Sequence, residues 1–148
     1  MIAKLLPDQV AKFWDVIKYA LQNSFPPIAG KSEQRINRVL SQLLSEKAQC
    51  WISYKIEDNV RTIVAITITT HVYDSLSNAK NLLIYCLYSY GDVIDDDSWK
   101  EGLKTLVMFA AETRSDNLIA YSSNKIIIDA INKLGGDTSI SFISLPLR

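Results

Sequence analysis

Few side chains in this 148-residue sequence could do chemistry, and they are widely spaced. His71 is the one histidine, near the end of a predicted strand. A general base at that place would also need an acidic partner and a positioned substrate, so its isolation favours a half-exposed histidine at a strand end. No G-x-S-x-G or H-E-x-x-H motif occurs, which excludes the serine-hydrolase and zinc-protease templates.

The two cysteines, Cys50 and Cys86, lie far apart in the sequence and inside separate apolar runs. A disulfide framework needs more cysteines, and a zinc site needs closer spacing or neighbouring histidines. We therefore predict two reduced, half-buried thiols and no metal site.

An acidic loop precedes a predicted helix. It carries four carboxylates, Asp92, Asp95, Asp96 and Asp97. Several carboxylates could hold Ca²⁺ or Mg²⁺, but the spacing of an EF-hand is absent, which favours a solvated loop that caps the helix. Aromatic side chains gather around it: Tyr85, Tyr88, Tyr90 and Trp99. They indicate either core positions or a contact surface, since Tyr and Trp are enriched in interfaces.

The amino-acid composition excludes several classes of protein. The sequence is 48% hydrophobic and 22% charged, with 16 basic and 16 acidic residues. This balance excludes a disordered chain and gives no electrostatic basis for binding nucleic acid or an anionic membrane. No run approaches the ~18 apolar residues of a membrane span, and no signal peptide is recognisable, so we expect a cytoplasmic protein.

The periodicity of apolar residues predicts four helices and five strands in the order α-α-β-β-β-α-β-α-β. Helices are expected at 7–22, 32–47, 98–114 and 124–134, and strands at 50–56, 60–73, 82–90, 117–122 and 139–145. The strand at 82–90 is apolar on both faces, which is typical of a strand at the centre of a layered sheet. The expectation is one α/β domain over residues 1–148, with a mixed sheet and helices on both faces.

This order of elements resembles the GNAT acetyltransferase superfamily over most of the chain. The segment from Asn124 to Gly136 is similar to the family pattern N-x-x-A-x-x-x-Y-x-K-L-G-F, with Asn124, Lys133, Leu134 and Gly135 at the same spacing. The resemblance implies the GNAT fold and a site for acetyl-CoA.

Two departures from the family pattern concern that site. Ile131 stands where the family usually has a tyrosine that protonates the departing thiolate. The glycine-rich turn that receives the CoA pyrophosphate is also absent, because Gly91 and Gly102 are too far apart to form one turn. Carboxylates occupy that stretch instead, and they would repel a diphosphate.

From these departures the sequence predicts a degenerate GNAT-like protein without a cofactor, acting as a non-catalytic binding or assembly module for a protein partner. Small phage-encoded proteins of this kind are one group it resembles, which would place it in the cytoplasm or the virion. The expected partner contacts are His71, Tyr88, Tyr90, Asp95, Asp96, Asp97 and Trp99.

The alternative is a divergent acetyl-CoA-dependent N-acetyltransferase. In that case Tyr121 or His71 would have the acid–base roles. The cofactor would bind around Lys100, Gly102, Lys104 and Asn124. A small-molecule sensor that uses the same cleft is a third interpretation. The oligomeric state is left open.

Overall fold

A computed structural model describes residues 1–28, 30–91, 96–122 and 125–147. The strands are β1 (Ile2–Lys4), β2 (Ala48–Glu57), β3 (Val60–Tyr73), β4 (Lys80–Ser89) and β5 (Asn117–Ala120). The helices are α1 (Pro7–Lys12), α2 (Trp14–Ser24), α3 (Glu33–Leu44), α4 (Asp96–Glu112) and α5 (Lys125–Lys133). In this described part of the chain, no helix is both long and apolar enough to cross a membrane.

The five strands form one mixed sheet in the order β1-β2-β3-β4-β5. The first three pairings are antiparallel, and β4 pairs with β5 in parallel. A parallel neighbour needs a crossover, which α4 supplies between β4 and β5. The predicted α/β class with a mixed sheet is confirmed.

One face of the sheet is covered by α1, α2 and α3. Ile17 and Leu21 of α2 and Ile66 and Ile68 of β3 are completely or almost completely buried there. Because side chains alternate along a strand, this face takes every second residue of the central strands. The core cluster on this face is formed by seven buried residues of the three helices and six of β2, β3 and β4.

Cys50 and Cys86 lie in this buried layer, on either side of Ile68 in the register of the sheet. Both thiols are free. They stand two strands apart, about 10 Å, which is too far for a disulfide. Burial, together with the neighbouring Cys86, raises the pKa of Cys50 to about 12, and burial raises the pKa of Cys86 to about 11. Both groups are therefore protonated thiols at neutral pH.

The opposite face packs against α4. The Trp51 ring meets Phe109 edge-on at 5.1 Å between centroids. Its Nε1–H donates to Thr69 Oγ1 at 2.9 Å, and that hydroxyl donates to Gln49 Oε1 at 2.8 Å. The buried indole is thus fully hydrogen-bonded, and helices lie on both faces, as predicted.

The structure contains one strand that was not predicted, β1, and differs from two predicted elements. The three residues of β1 are too few to show an alternating pattern, although they pair with β2 from Ile2 to Lys4. The predicted helix at 7–22 is divided at Phe13, whose φ of −101° and ψ of 16° interrupt the helical backbone. The predicted last strand at 139–145 is absent, because these residues form no backbone hydrogen bonds with a neighbouring strand in the described structure.

Candidate functional site

The sheet opens where β4 and β5 part. The parallel register runs from Asn81 opposite Asn117 to Ile84 opposite Ala120, and β5 ends there. β4 continues to Ser89, paired only with β3 within the described residues. One edge of residues 85–89 therefore presents backbone N–H and C=O groups to an extended ligand, the geometry used when a chain adds to a sheet edge. We call this stretch the open edge of β4.

A group of three tyrosines lies at the end of the open edge. Tyr88 and Tyr90 come from the end of β4 and Tyr19 from α2. The Tyr88 and Tyr90 rings are 5.0 Å apart at 89°, and the Tyr19 and Tyr88 rings are 5.7 Å apart at 87°. These edge-to-face contacts tie α2 to β4, and we refer to the three residues as the tyrosine cluster.

Two of these phenols are held in the protonated form. A hydrogen bond with Tyr19 raises the pKa of Tyr88, and burial raises the pKa of Tyr90. A phenol with a raised pKa stays neutral at physiological pH and donates a hydrogen bond. Tyr88 and Tyr90 can therefore supply proton donors.

A groove of about 610 Å³ adjoins the tyrosine cluster, between α2 and β3. Its lining residues are Asp15, Val16, Tyr19, Arg61, Thr62, Ile63 and Tyr90. The groove is shallow and open to solvent, and its walls combine apolar surface with few charges. Asp15 brings an exposed carboxylate from one wall and Arg61 an exposed guanidinium from the other. Arg61 also lies 5.3 Å from the centre of the Tyr54 ring, which restrains its position.

Asp15, Tyr19 and Arg61 were missed by the sequence analysis as site residues. Asp15 and Tyr19 are four residues apart and so share one helix face, which is a detectable signal. Arg61 reaches them only through the packing of α2 against the sheet, and no local pattern reports that contact.

His71 lies at the opposite end of the sheet. It pairs with Leu82 at the start of β4, whereas Tyr88 pairs with Ile66, so about 17 Å of strand separates the two positions. The His71 Nε2 atom hydrogen-bonds with Thr113 Oγ1 of the turn after α4 at 2.9 Å. Burial and the nearby Lys80 cation lower the pKa of His71. The structure thus does not bring His71 together with Tyr88 and Tyr90.

Helix α4 carries most of the other predicted site residues. It begins at Asp96, two residues before the expected Ser98. Asp97, Lys100 and Lys104 are exposed, and the last two lie one turn apart. A Cβ on Gly102 would meet nothing within 4 Å, so this glycine provides no close backbone approach. Trp99 is half-buried.

Several other predicted positions cannot be placed. Asp92, Asp95 and Asn124 lie outside the described residues, as does the side chain of Asp96. Over the residues that the structure does describe, no three His, Cys, Asp or Glu side chains are grouped to hold a metal ion.

Tyr121 directly follows β5, at the point where the strands part. It is half-buried, and its ring lies 5.2 Å from that of Phe142. Gly136 stands where the family pattern ends in phenylalanine, and a Cβ at this position would collide with the Ile131 side chain of α5. Tyr121 therefore places a phenol at the end of β5, where the two strands part.

The comparisons with known proteins establish the fold. No family model matches the chain, and no curated protein matches it. Solved structures do, among them a predicted acetyltransferase with acetyl-CoA from Clostridium acetobutylicum, with a TM-score of 0.71 and 16% identity over 99% of this chain and 96% of that one.

Two further structures agree. A ribosomal-protein-alanine N-acetyltransferase from Brucella melitensis biovar Abortus 2308 has a TM-score of 0.65 at 13% identity, covering 99% of both chains. AAC(6')-Iy, in complex with the bisubstrate analog CoA-S-monomethyl-acetylneamine, has a TM-score of 0.71 at 10% identity, covering 100% of this chain and 97% of that one. At these identities the similarity shows the GNAT fold, as predicted.

The same findings correct two predictions. The expected non-catalytic binding or assembly module and the expected lack of a cofactor are both contradicted, because the structural neighbours are acetyltransferases, including one with acetyl-CoA and one with a CoA-based analogue. The absent glycine turn led to both errors. It describes one local feature, whereas the neighbours match the whole chain.

Proposed function

We propose that this protein is a divergent acetyl-CoA-dependent N-acetyltransferase. The observation that carries the proposal is the open edge of β4 beside the groove between α2 and β3. An extended ligand on the edge would place its reactive end where β4 and β5 part, next to Tyr121, and an acceptor would reach that point from the groove past the tyrosine cluster. The similarity to acetyltransferases across the whole chain supports the same function.

The residues around the open edge fit the chemistry of CoA. The pantetheine arm is an extended chain with two amide groups, which match the N–H and C=O groups of a strand edge. Lys100 and Lys104 add two exposed cations on neighbouring turns of α4, suited to phosphate groups. Gly102 between them and Asn124 after β5 remain candidate contacts. When bound, acetyl-CoA supplies an acetyl thioester that is activated towards attack by an amine.

The groove suits an acceptor that carries a primary amine. Asp15 places a carboxylate on the wall of the groove, and an ammonium group is its natural partner. The apolar side chains of Val16 and Ile63 would contact the carbon part of the acceptor. Arg61 on the facing wall favours an acceptor that also carries an anionic or polar group.

Tyr121 is the residue we propose for the acid role. Its phenolic Oη holds a proton where β4 and β5 part, and it can donate that proton there. The neutral phenols of Tyr88 and Tyr90 lie further along β4 and orient polar groups by hydrogen bonding. His71 has no part in this arrangement, since it lies at the other end of the sheet.

Calorimetric titration of the wild-type protein with acetyl-CoA tests the proposal. We expect micromolar binding, followed by acetylation of an amine detected as a gain of one acetyl group by mass spectrometry. The double variant Lys100→Glu/Lys104→Glu should bind at least ten-fold more weakly, because each reversal replaces an attraction to phosphate with a repulsion. Lys47→Glu is the matched control, since Lys47 is exposed at the opposite end of the sheet.

Absence of binding, together with no acetyl transfer across a panel of amines, would overturn the proposal. Binding that is unaffected by the double variant would keep the function and remove Lys100 and Lys104 from the site.

A further inference from the structure

The strand β5 is short, and its place beside β4 decides where Tyr121 lies. It has four residues, and its pairing with β4 runs from Asn81 opposite Asn117 to Ile84 opposite Ala120. Tyr121 directly follows the last of them. The position of Tyr121 along β4 therefore depends on the register in which these few residues pair.

The packing of β5 specifies that register only weakly. Leu118 and Ile119 are adjacent, both are aliphatic, and both are half-buried. A slip by one residue turns each side chain of a strand to the opposite face of the sheet. In β5 such a slip would exchange one aliphatic side chain for the other, so the buried apolar surface would change little. The same slip would move Tyr121 by about 3.3 Å along β4.

Polar contacts join the start of β5 to the start of β4. The Asp116 carboxylate accepts a hydrogen bond from the Lys80 N–H at 2.9 Å, and the Asp116 N–H donates to the Lys80 carbonyl at 2.6 Å. Nδ2 of Asn117 donates to Oδ1 of Asn81 at 3.1 Å. Lys80 Nζ also donates to the carbonyl of Thr113, in the turn before β5, at 2.6 Å. We call Lys80, Asn81, Asp116 and Asn117 the register clamp.

The side-chain bonds of the register clamp depend on residue identity. Backbone hydrogen bonds can form in any register, because every residue except proline carries the same N–H and C=O groups. The Asp116 carboxylate and the amides of Asn81 and Asn117 meet their partners in the observed register, and a slip would separate them. Because Asp116 and Asn117 are exposed, these contacts add little to the core and act mainly by selecting one register.

We propose that Asp116 and Asn117 are positioning residues, which hold β5 in the register that places the Tyr121 phenol where β4 and β5 part. The inference rests on the proposed function, in which Tyr121 has the acid role. A general acid must lie within hydrogen-bonding reach of the atom that it protonates. A displacement of about 3.3 Å, one residue along a strand, removes it from that reach.

Steady-state kinetics of the double variant Asp116→Ala/Asn117→Ala tests this inference. Both side chains are exposed, so the variant should fold with a urea midpoint close to that of the wild type. We expect kcat for acetyl transfer to fall about ten-fold, because much of the population then holds Tyr121 out of reach. The acetyl-CoA dissociation constant should be unchanged, since the variant leaves Lys100, Lys104 and the open edge of β4 intact.

A conservative variant and a matched control separate positioning from a general effect of lost surface bonds. Asp116→Asn should keep the wild-type kcat, because its amide oxygen can still accept the Lys80 N–H. Asp74→Ala should also leave kcat unchanged. Asp74 is equally an exposed carboxylate, and it accepts hydrogen bonds from the Leu76 N–H and Ser77 Oγ in the turn between β3 and β4. A wild-type kcat in the double variant, or an equal loss in Asp116→Asn, would overturn the proposal.

The register of β5 can also be read by NMR without any acetyl transfer. Backbone nuclear Overhauser contacts in the wild type should place Leu118 opposite Leu82. The double variant should add a second set of contacts, with Leu118 opposite Asn81 or Leu83. A single, unchanged set in the double variant would overturn the proposal. If the wild type transfers no acetyl group, the proposed function fails, and these contacts still decide whether the register clamp holds β5.

Discussion

The two ends of the β3–β4 pair differ in what they leave open to a ligand. At the end with His71, the side chains are occupied: the imidazole bonds Thr113, and Lys80 Nζ donates to the Thr113 carbonyl at 2.6 Å. At the end with Tyr88, the residue types are ordinary, but β5 stops and leaves the open edge of β4. The site therefore follows from where backbone pairing ends, and the rarest reactive residue lies in the closed end.

The largest expected effect is a loss of stability at Trp51, in the packed part of the molecule. Trp51→Ala removes the contact with Phe109 and leaves Thr69 without its indole donor. We expect the free energy of unfolding to fall by about 3–5 kcal/mol, as for large-to-small changes in a core. Urea denaturation measures it, with Tyr90→Ala at the half-buried open end as the comparison. A similar loss in both variants would remove the distinction in packing between the two regions.

The next largest effect is expected on kcat, and it tests the acid role proposed for Tyr121 at the open end. Tyr121→Phe removes one hydroxyl and keeps the ring that contacts Phe142. We expect kcat to fall about 100-fold, the lower part of the range for loss of a general acid, with the acetyl-CoA dissociation constant unchanged. Steady-state kinetics and calorimetry check the two quantities. An unchanged kcat would assign the acid role to another group, with Tyr88→Phe as the next variant.

A smaller effect is expected at His71. His71→Phe keeps a ring beside Phe109 and removes the hydrogen bond with Thr113, at a cost of about 1 kcal/mol or less. Thr113 Oγ1 still donates to the Phe109 carbonyl, which limits the loss. Catalytic activity should be unchanged. A large loss of kcat with unchanged stability would instead indicate that His71 takes part in catalysis.

The pH dependence of stability at His71 has a definite sign. Because its pKa is lowered in the folded protein, by burial first and then by Lys80, protonation favours the unfolded chain. This contribution to stability is complete above the ordinary histidine pKa and is lost as the pH falls below it. Urea midpoints between pH 7.5 and 5 should therefore fall more for the wild type than for His71→Phe, and parallel curves would contradict this assignment.

The smallest expected effect lies on α4. Asp97 is exposed near Lys100, where phosphate groups would bind under the proposed function. Asp97→Asn removes a repulsion of about 1 kcal/mol in water, so acetyl-CoA should bind up to about five-fold more tightly. Calorimetry of the variant beside the wild type measures the change. Weaker binding would indicate that the carboxylate contributes a favourable contact.

The sequence predicts the fold well where a pattern repeats. The apolar run at 82–90 correctly indicates a strand, and the adjacent Leu82 and Leu83, which point to opposite faces of β4, are both buried, although β4 lies fourth in the order of five strands. A run at 139–145 has strand-like spacing and yet forms no strand in the described structure, because a strand also needs backbone hydrogen bonds to a neighbouring strand and none form here. A local sequence pattern indicates which residues could form a strand, and it carries no information on whether they pair with a neighbouring strand.

The site was predicted less completely for a related reason. Tyr88 and Tyr90 were selected as aromatic residues near a loop; Tyr90 lines the groove, and the Tyr88 ring contacts that of Tyr90. Asp15 and Arg61 lie on different elements, and only the packing of α2 on β3 brings both to one groove. The parting of β4 and β5 is likewise a property of strand lengths in three dimensions. No spacing of residue types records it.

The buried cysteines have a practical consequence for measuring motion in this protein. A thiol reagent needs the thiolate form and physical access, and Cys50 and Cys86 offer neither in the folded state. At a low concentration of thiol reagent, the rate at which the two cysteines are labelled would therefore report how often the α1–α3 layer opens away from the sheet. The chain thus contains two natural probes of local opening, both in the layer that includes one wall of the groove.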